Sequence, residues 1–370
     1  MGHRGMNKRT LAKHDKRTAA DDVIAVQLKS SPTRQTPRTV TAIEQGLLEQ
    51  IAAKPQDDGL RLVYADFLTE QGSRWGEVII AQVAVPPDDA DDYGDKLEVS
   101  MKLEKKHAKA WLEPIRPYLT RWSFERGLLS VVATEPDKFL QAADAIALRA
   151  PRATLELSGV KPKHVVALAA APLGRFAEVS LSEQRLDDAQ LATLMASPAI
   201  AGVERWLLDF NQLGDDGVAA LASSAHVASV QSLSLRTNIS KGGTVPRLAL
   251  ITTTGLHALL TSKKLPGLRR LTVEGTAVNA KSVLESTLEL EALDLHLDSG
   301  FDEELLSALA DAVSLQNLKE LRVMAQGPVT ATDLDRLVNA RPLLRSLQVI
   351  HQTKDIVPEA VKERLRARRA

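Results

Sequence analysis

Apolar residues two positions apart recur down the last two-thirds of the chain, as Leu129/Val131, Leu155/Leu157, Val179/Leu181, Trp206/Leu208, Leu233/Leu235, Leu271/Val273, Leu293/Leu295, Leu321/Val323 and Leu347/Val349. Alternation of this kind marks a short strand with one buried face. The nine second members are separated by 26, 24, 27, 27, 38, 22, 28 and 26 residues, enough for a strand, a turn and a helix of two to three turns. The pattern therefore predicts nine strands of a stacked repeat rather than a closed domain. Between the strands, Leu191 and Leu194, Val218 and Leu221, Leu256 and Leu260, Leu305 and Leu309, and Leu334 and Val338 fall at helical spacing. Asp187/Asp188, Asp215/Asp216, Thr253/Thr254, Asn279, Asp302 and Thr332 stand where those helices need a capping acceptor. Three residues beyond each of the last seven strands comes Gln184, Asn211, Asn238, Thr276, Asp298, Gln326 or Gln352, a polar ladder suited to the backbone of adjacent turns.

Ahead of the array the period is helical throughout. Ile43, Leu47, Leu48 and Ile51 line one predicted face, and Leu60, Val63, Tyr64, Phe67 and Leu68 the next, which Gly72 stops. A third run through Val78, Ile79, Ile80 and Val83 ends at Pro86-Pro87, and a longer helix is predicted from about Lys96 to Leu112. At the other end Val357, Val361 and Leu365 form a stripe on a last helix that would cap the array, with the terminal arginines projecting from it.

The stretch Val203–Leu221 places Val203, Trp206, Leu208 and Leu213 at the apolar positions of L-x-x-L-x-L-x-x-N-x-L, with Asn211 at the polar one. It resembles a leucine-rich repeat. Unit lengths near 26–28 resemble the ribonuclease-inhibitor-like class, which implies an α/β solenoid: a horseshoe with parallel strands on the concave face and helices outside. Pro55, Asp57-Asp58, the run Arg61 to Asp66, Leu68, Glu70, Gly72 and Gly76-Glu77 fall in the order of another family. Leu47 to Gln82 is similar to the N-terminal repeat-companion domain that precedes repeats in bacterial proteins. Phe67 stands where that family usually has Trp, Ser73 where it has Asp, and Trp75 intrudes before Gly76. The likeness continues through His107, Trp111-Leu112 and Arg126-Gly127, implies repeats downstream and implies no activity.

Four segments follow: a basic arm, 1–40, with too little apolar sequence to fold alone; a helical domain, 41–122; the array, 123–352, with an insertion at 240–251; and a capping helix with basic tail, 353–370. Lys plus Arg equals Asp plus Glu at 47 each, so no global field selects nucleic acid or membrane. The arm nevertheless carries nine Lys/Arg against three Asp, and the last seven residues four Arg. The chain lacks cysteine, which excludes thiolate zinc sites and disulfides, and lacks a run of eighteen apolar residues, so no membrane span is expected and a cytoplasmic location is.

The residues alternating with the buried leucines should face the concave side. They are mixed in sign, with Glu156, Glu178, Asp209, Glu274, Asp294 and Glu320 against Arg205, Arg236, Arg270 and Arg322, a poor groove for phosphates. Arg205, Leu207, Asp209, Phe210, Arg236, Glu274, Asp294, His296, Arg322 and Met324 are the candidate contacts for a protein partner, and Lys241 and Arg247 those of the inserted loop. Asp209, Arg236, Glu274 and His296 should lie at one level on successive strands, either neutralising one another or meeting a partner's charges. No H-E-x-x-H, G-x-S-x-G or phosphate loop occurs, so neither catalysis nor a cofactor is expected. In the helical segment, Asp57/Asp58, Glu70 and Glu77 read as caps and turn acceptors, with Asp66 paired to Arg61 and Arg74. The expected role is a non-catalytic interaction scaffold, the alternative being nucleic-acid or polyanion association through the basic arm and tail.

Overall fold

The computed structural model describes residues 41–236, 251–274, 278–296, 303–324, 329–351 and 354–368. The arm, most of the insertion with Lys241 and Arg247, the helix start at Asp302 and the ladder residues Asn238, Thr276, Asp298, Gln326 and Gln352 lie outside them.

Helices α1 (Ala42–Ala53), α2 (Asp58–Glu70), α3 (Trp75–Val83) and α4 (Tyr93–Leu112) come first. Thr41 caps α1 by accepting from Glu44 N, and Asp57 caps α2 by accepting from Gly59 N and Leu60 N. Two predicted inward residues are exposed: Ile43 and Val63 face water, while Glu44, Arg61 and Ala65 are buried. The Tyr64 hydroxyl donates to Glu44 Oε1 at 3.0 Å, so α1 and α2 meet through a polar pair that a purely apolar stripe does not reveal. Trp75 is fully buried and stacks on Trp111 (5.0 Å) and against Phe124 (4.6 Å).

The chain then forms a hairpin that sequence periodicity missed, β1 (Arg121–Glu125) antiparallel to β2 (Leu128–Thr134). Its tip, Arg126-Gly127, is gripped by the helices. Trp75 Nε1 donates to Gly127 O, Gly127 N donates to Gln82 Oε1, and Arg126 pairs with Asp58.

After β2 the strand–helix alternation runs α5 (Pro136–Arg149), β3 (Thr154–Leu157), α6 (Pro162–Ala170), β4 (Glu178–Ser180), α7 (Asp188–Met195), β5 (Arg205–Leu207), α8 (Asp215–Ser223), β6 (Ser232–Leu235), α9 (Thr253–Leu260) and β7 (Arg270–Glu274). It continues through α10 (Ala280–Leu284), β8 (Ala292–His296), α11 (Glu303–Asp311), β9 (Glu320–Met324), α12 (Ala331–Ala340) and β10 (Ser346–His351). The last elements are β11 (Lys354–Asp355) and α13 (Glu359–Ala367). The described residues thus form one eleven-stranded sheet in sequence order, parallel from β2 to β10, the arrangement of a solenoid. Antiparallel β1 and β11 add a strand at either end, and Val357, Val361 and Leu365 are buried as the capping stripe requires.

Eight of the nine apolar pairs point inward as their spacing predicts, and the first does not. Val132 pairs with Leu155 and Thr134 with Leu157, so Val132 and Thr134, not Leu129 and Val131, are in register with the later pairs; Leu129 is also buried, but Val131 is not. A register break between Ser123 and Phe124 and a threonine in a leucine slot hide this frame. The Thr134 hydroxyl, fully buried, is satisfied by donating to Tyr118 O at 2.5 Å.

Three sets of side chains tie neighbouring repeats together in the middle of the array. Asn211, buried, accepts from Gln184 N (3.1 Å) and Leu186 N (3.0 Å) and donates to Leu181 O (2.9 Å) and Leu208 O (3.0 Å), as the ladder predicts. The second set corrects the capping assignment. Asp187 caps its own helix, but Asp188 accepts from Gly214 N of the next unit, and Asp215 accepts from Thr252 N and Gly255 N, again one unit on. The caps of α8, α9 and α12 are Gly214, Thr252 and Thr330 rather than Asp215, Thr253 and Thr332. A third set is absent from the pattern L-x-x-L-x-L: Ser197, Ser224 and Ser262 each donate to a carbonyl near the end of the preceding unit's helix, Ala169, Met195 and Ala222 respectively.

Candidate interaction surface

With helices packed on one side of the sheet, the other side is lined by the residues between the buried leucines. Asp209, Arg236, Glu274 and His296 do lie in register, since Leu207 pairs with Ser234, Leu235 with Val273 and Glu274 with His296. The structure separates the predicted strip into two clusters.

The first spans β4 to β6. Arg205 Nε donates to Glu178 Oε2 at 2.7 Å and stays partly exposed, and Leu207 is half-buried between Ser180 and Ser234. Asp209 is buried. Its Oδ1 accepts from the Ser234 hydroxyl at 2.6 Å and from Arg236 N at 2.8 Å, and its Oδ2 lies 3.5 Å from Arg236 Nε. This carboxylate locks two strands together, and its oxygens are used within the sheet. Phe210, one position on, turns the other way: it has φ +58° and is 39% exposed. The same turn two residues after β3 holds Gly159 at +76°, and after the β4 unit Glu183 at +63°. The fold thus demands a left-handed residue there, a conformation that disfavours a large side chain by about 1–2 kcal/mol.

The second cluster spans β7 to β10. His296 Nε2 lies 3.0 Å from Asp294 Oδ1 and its Nδ1 3.6 Å from Glu274 Oε2, while Arg322 Nη1 lies 3.9 Å from Asp294 Oδ2. The two ring nitrogens address different carboxylates, so the three residues share no point at which a cation would be chelated, and no metal-holding group of three occurs among the described residues. Arg270 and Glu320 pair at 2.9 Å across the intervening strand, because the residue in register between them is Ala292. Below that bridge is a hollow of about 260 Å³ bounded by Thr272, Asp294, Arg322, Ser346 and Gln348. Sequence reasoning overlooked Ala292 because it sought side chains, and here the missing bulk makes the feature. Met324 lies beside His296, half-buried.

Elsewhere three carboxylates of the helical segment have structural partners. Asp57 caps α2, Asp58 holds Arg126 and Glu77 holds Arg74 at 2.5 Å. The expected ion pair at Asp66 does not form: Asp66 is exposed, Arg74 is taken by Glu77, and Arg61 Nη1 turns to Asp57 O. Burial, and then the neighbouring Arg126 charge, lower the Arg61 pKa. Among the described residues, the terminal arginines do not simply project. Arg364 pairs with Asp335, Arg366 with Glu359, and Arg368 donates to Arg341 O (2.9 Å) and Val338 O (3.1 Å). No described helix is long and apolar enough to cross a membrane.

No protein-family model matches the chain, and no curated protein does. Among solved structures it is similar to the tropomodulin C-terminal domain from Caenorhabditis elegans, at 11% identity over 63% of this chain and 97% of that one, with a TM-score of 0.25. That superposition is too loose to set residues of the two chains against each other.

Proposed function

We propose that this chain is a non-catalytic interaction scaffold of the cell interior, a leucine-rich-repeat horseshoe of the ribonuclease-inhibitor-like kind capped by a repeat-companion domain, which binds a protein partner on the open face of its sheet. Parallel strands about 4.8 Å apart with wider helices behind them favour such curvature and leave the strand face free. The observation that carries the reading is Phe210. An aromatic ring partly exposed at a left-handed position, where an equivalent turn has glycine, weakens the fold locally, and aromatic anchors beside charged residues are what interfaces concentrate. Leu207 and Arg236 adjoin it on β5 and after β6, and Met324 supplies a second apolar contact.

The test is affinity capture from cells that make the protein, comparing wild type with Phe210→Asn and with Arg236→Glu combined with Met324→Ala. Asparagine tolerates the left-handed turn, so Phe210→Asn should leave stability within about 1 kcal/mol of wild type while releasing the partner. Capture that survives these changes but disappears on deleting residues 1–40, with steep salt dependence, would sink the proposal in favour of polyanion binding through the arm.

A further inference from the structure

Many charged side chains among the described residues pair with a neighbour. On α4 itself Lys96 pairs with Asp92 at 2.8 Å and Lys102 with Glu98 at 2.6 Å. Three unpaired cations gather at one place. Where α4 ends and the chain turns through Arg116–Tyr118, an open hollow of about 650 Å³ is lined by Lys106, Lys109, Ala110, Glu113, Arg116 and Pro117. Lys106 and Lys109 are one turn apart on one helix face, and Arg116 approaches from beyond the helix. All three are exposed, and no described carboxylate lies within ion-pair distance of any of them. Glu113 is the single acid in the lining, so the hollow carries a net charge of about +2.

The carbonyl end of α4 accounts for part of this, since cations there complement the helix dipole. It does not account for Arg116, which lies outside the helix and adds a third positive charge to the same space. We infer that the hollow is an anion site that takes a phosphate-bearing ligand. Two ammonium groups supply compact charge and the guanidinium a planar fork that matches phosphate oxygens, while Ala110 and Pro117 give the remainder of the ligand an apolar rest. The volume falls in the range of small-molecule sites, larger than a bare phosphate requires. No aromatic lines it, which argues against stacked single-stranded nucleic acid. The polyanion reading of the sequence looked to the basic arm, which lies outside the described residues, and to the tail, where Arg364, Arg366 and Arg368 have partners. The helical segment is where cations converge unpaired, and the site is independent of the open face of the sheet.

The experiment is calorimetric titration of the full chain at low salt with tripolyphosphate and, separately, with O-phosphoserine. Wild type should bind tripolyphosphate saturably at one site, and Lys106→Ala/Lys109→Ala/Arg116→Ala should weaken it by about tenfold or more. A control with the same change in net charge, Lys54→Ala/Lys105→Ala/Lys263→Ala, removes exposed cations outside the hollow and should leave affinity within about twofold. Binding of O-phosphoserine but not serine points to a phosphorylated side chain as the natural source, and binding of tripolyphosphate alone points to a free polyphosphate. Absence of saturable binding of either, or equal losses in the two triple variants at unchanged thermal midpoints, overturns the inference.

Discussion

The indole Nε1 of Trp75 donates to the carbonyl oxygen of Gly127 at 2.8 Å, binding the helical segment to the hairpin that opens the sheet. Gly127 has φ +81°, and a Cβ there would sit 2.6 Å from Ile79 Cα, so neither partner of this bond is replaceable without cost. Trp75→Phe should keep the ring stack with Trp111 and Phe124 but strand the Gly127 carbonyl, losing about 1–3 kcal/mol. Trp75→Ala should lose about 3–5 kcal/mol, and Gly127→Ala should also be destabilising. Urea unfolding followed by far-UV circular dichroism measures all three. If the helices and array unfold separately with Trp75→Phe but together in wild type, the bond is what couples them.

Asn211 stands in a different position, since its one carboxamide closes four backbone bonds, three of them to the preceding repeat. Asn211→Ala should cost about 3 kcal/mol or more by leaving those buried groups unpaired. Asn211→Asp should be no better, because a carboxylate cannot donate to Leu181 O and Leu208 O. Hydrogen exchange at Gln184 N and Leu186 N gives a local readout. Protection there unchanged in Asn211→Ala would show that solvent replaces the side chain.

The repeat frame was legible because leucine periodicity is dictated by burial, and burial is what stacks the units. Leu155 through Val349 were placed correctly by spacing alone. The first strand was not, because Thr134 fills an apolar slot and is satisfied by Tyr118 O, a partner sixteen residues away. Cross-repeat capping by Asp188 and Asp215 was read as capping of their own helices, since one sequence position serves both purposes until the neighbouring unit is in place. On the candidate surface, register told which residues share a level. It did not tell that Asp209 is consumed by Ser234 and Arg236, or that Ala292 leaves a hollow.

Two glycines in helices should respond in opposite directions to the same substitution. A Cβ at Gly46, inside α1, meets nothing within 4 Å, so Gly46→Ala should stabilise by about 0.5–1 kcal/mol through helix propensity. At Gly217 the Cβ would lie 3.2 Å from Asp188 Cα and closer still to its carboxylate oxygen, which is held by Gly214 N. Gly217→Ala must push that carboxylate off its bond and should destabilise by about 1–3 kcal/mol. Gly217→Ala in an Asp188→Ala background should lose most of that penalty, and thermal unfolding of the four proteins forms the cycle. An equal penalty in both backgrounds would place the clash elsewhere.

Glu104, in α4, gives the pH dependence a defined sign. Burial raises its pKa above the ordinary glutamate value, while the hydrogen bond that Gln82 donates at 2.7 Å opposes the shift. A carboxyl with a raised folded-state pKa binds more protons in the folded than in the unfolded chain, so its contribution is fully present at acid pH and is lost as pH rises through the glutamate range. Glu104→Gln keeps the size of the side chain and an acceptor for Gln82 while removing the charge. It should raise the thermal midpoint near neutral pH by no more than about 3 °C, the group being partly solvated, and leave it unchanged at about pH 3.5. The difference between variant and wild type should therefore grow with pH across that window. A shift of the same size at both ends would assign the effect to packing rather than to ionisation.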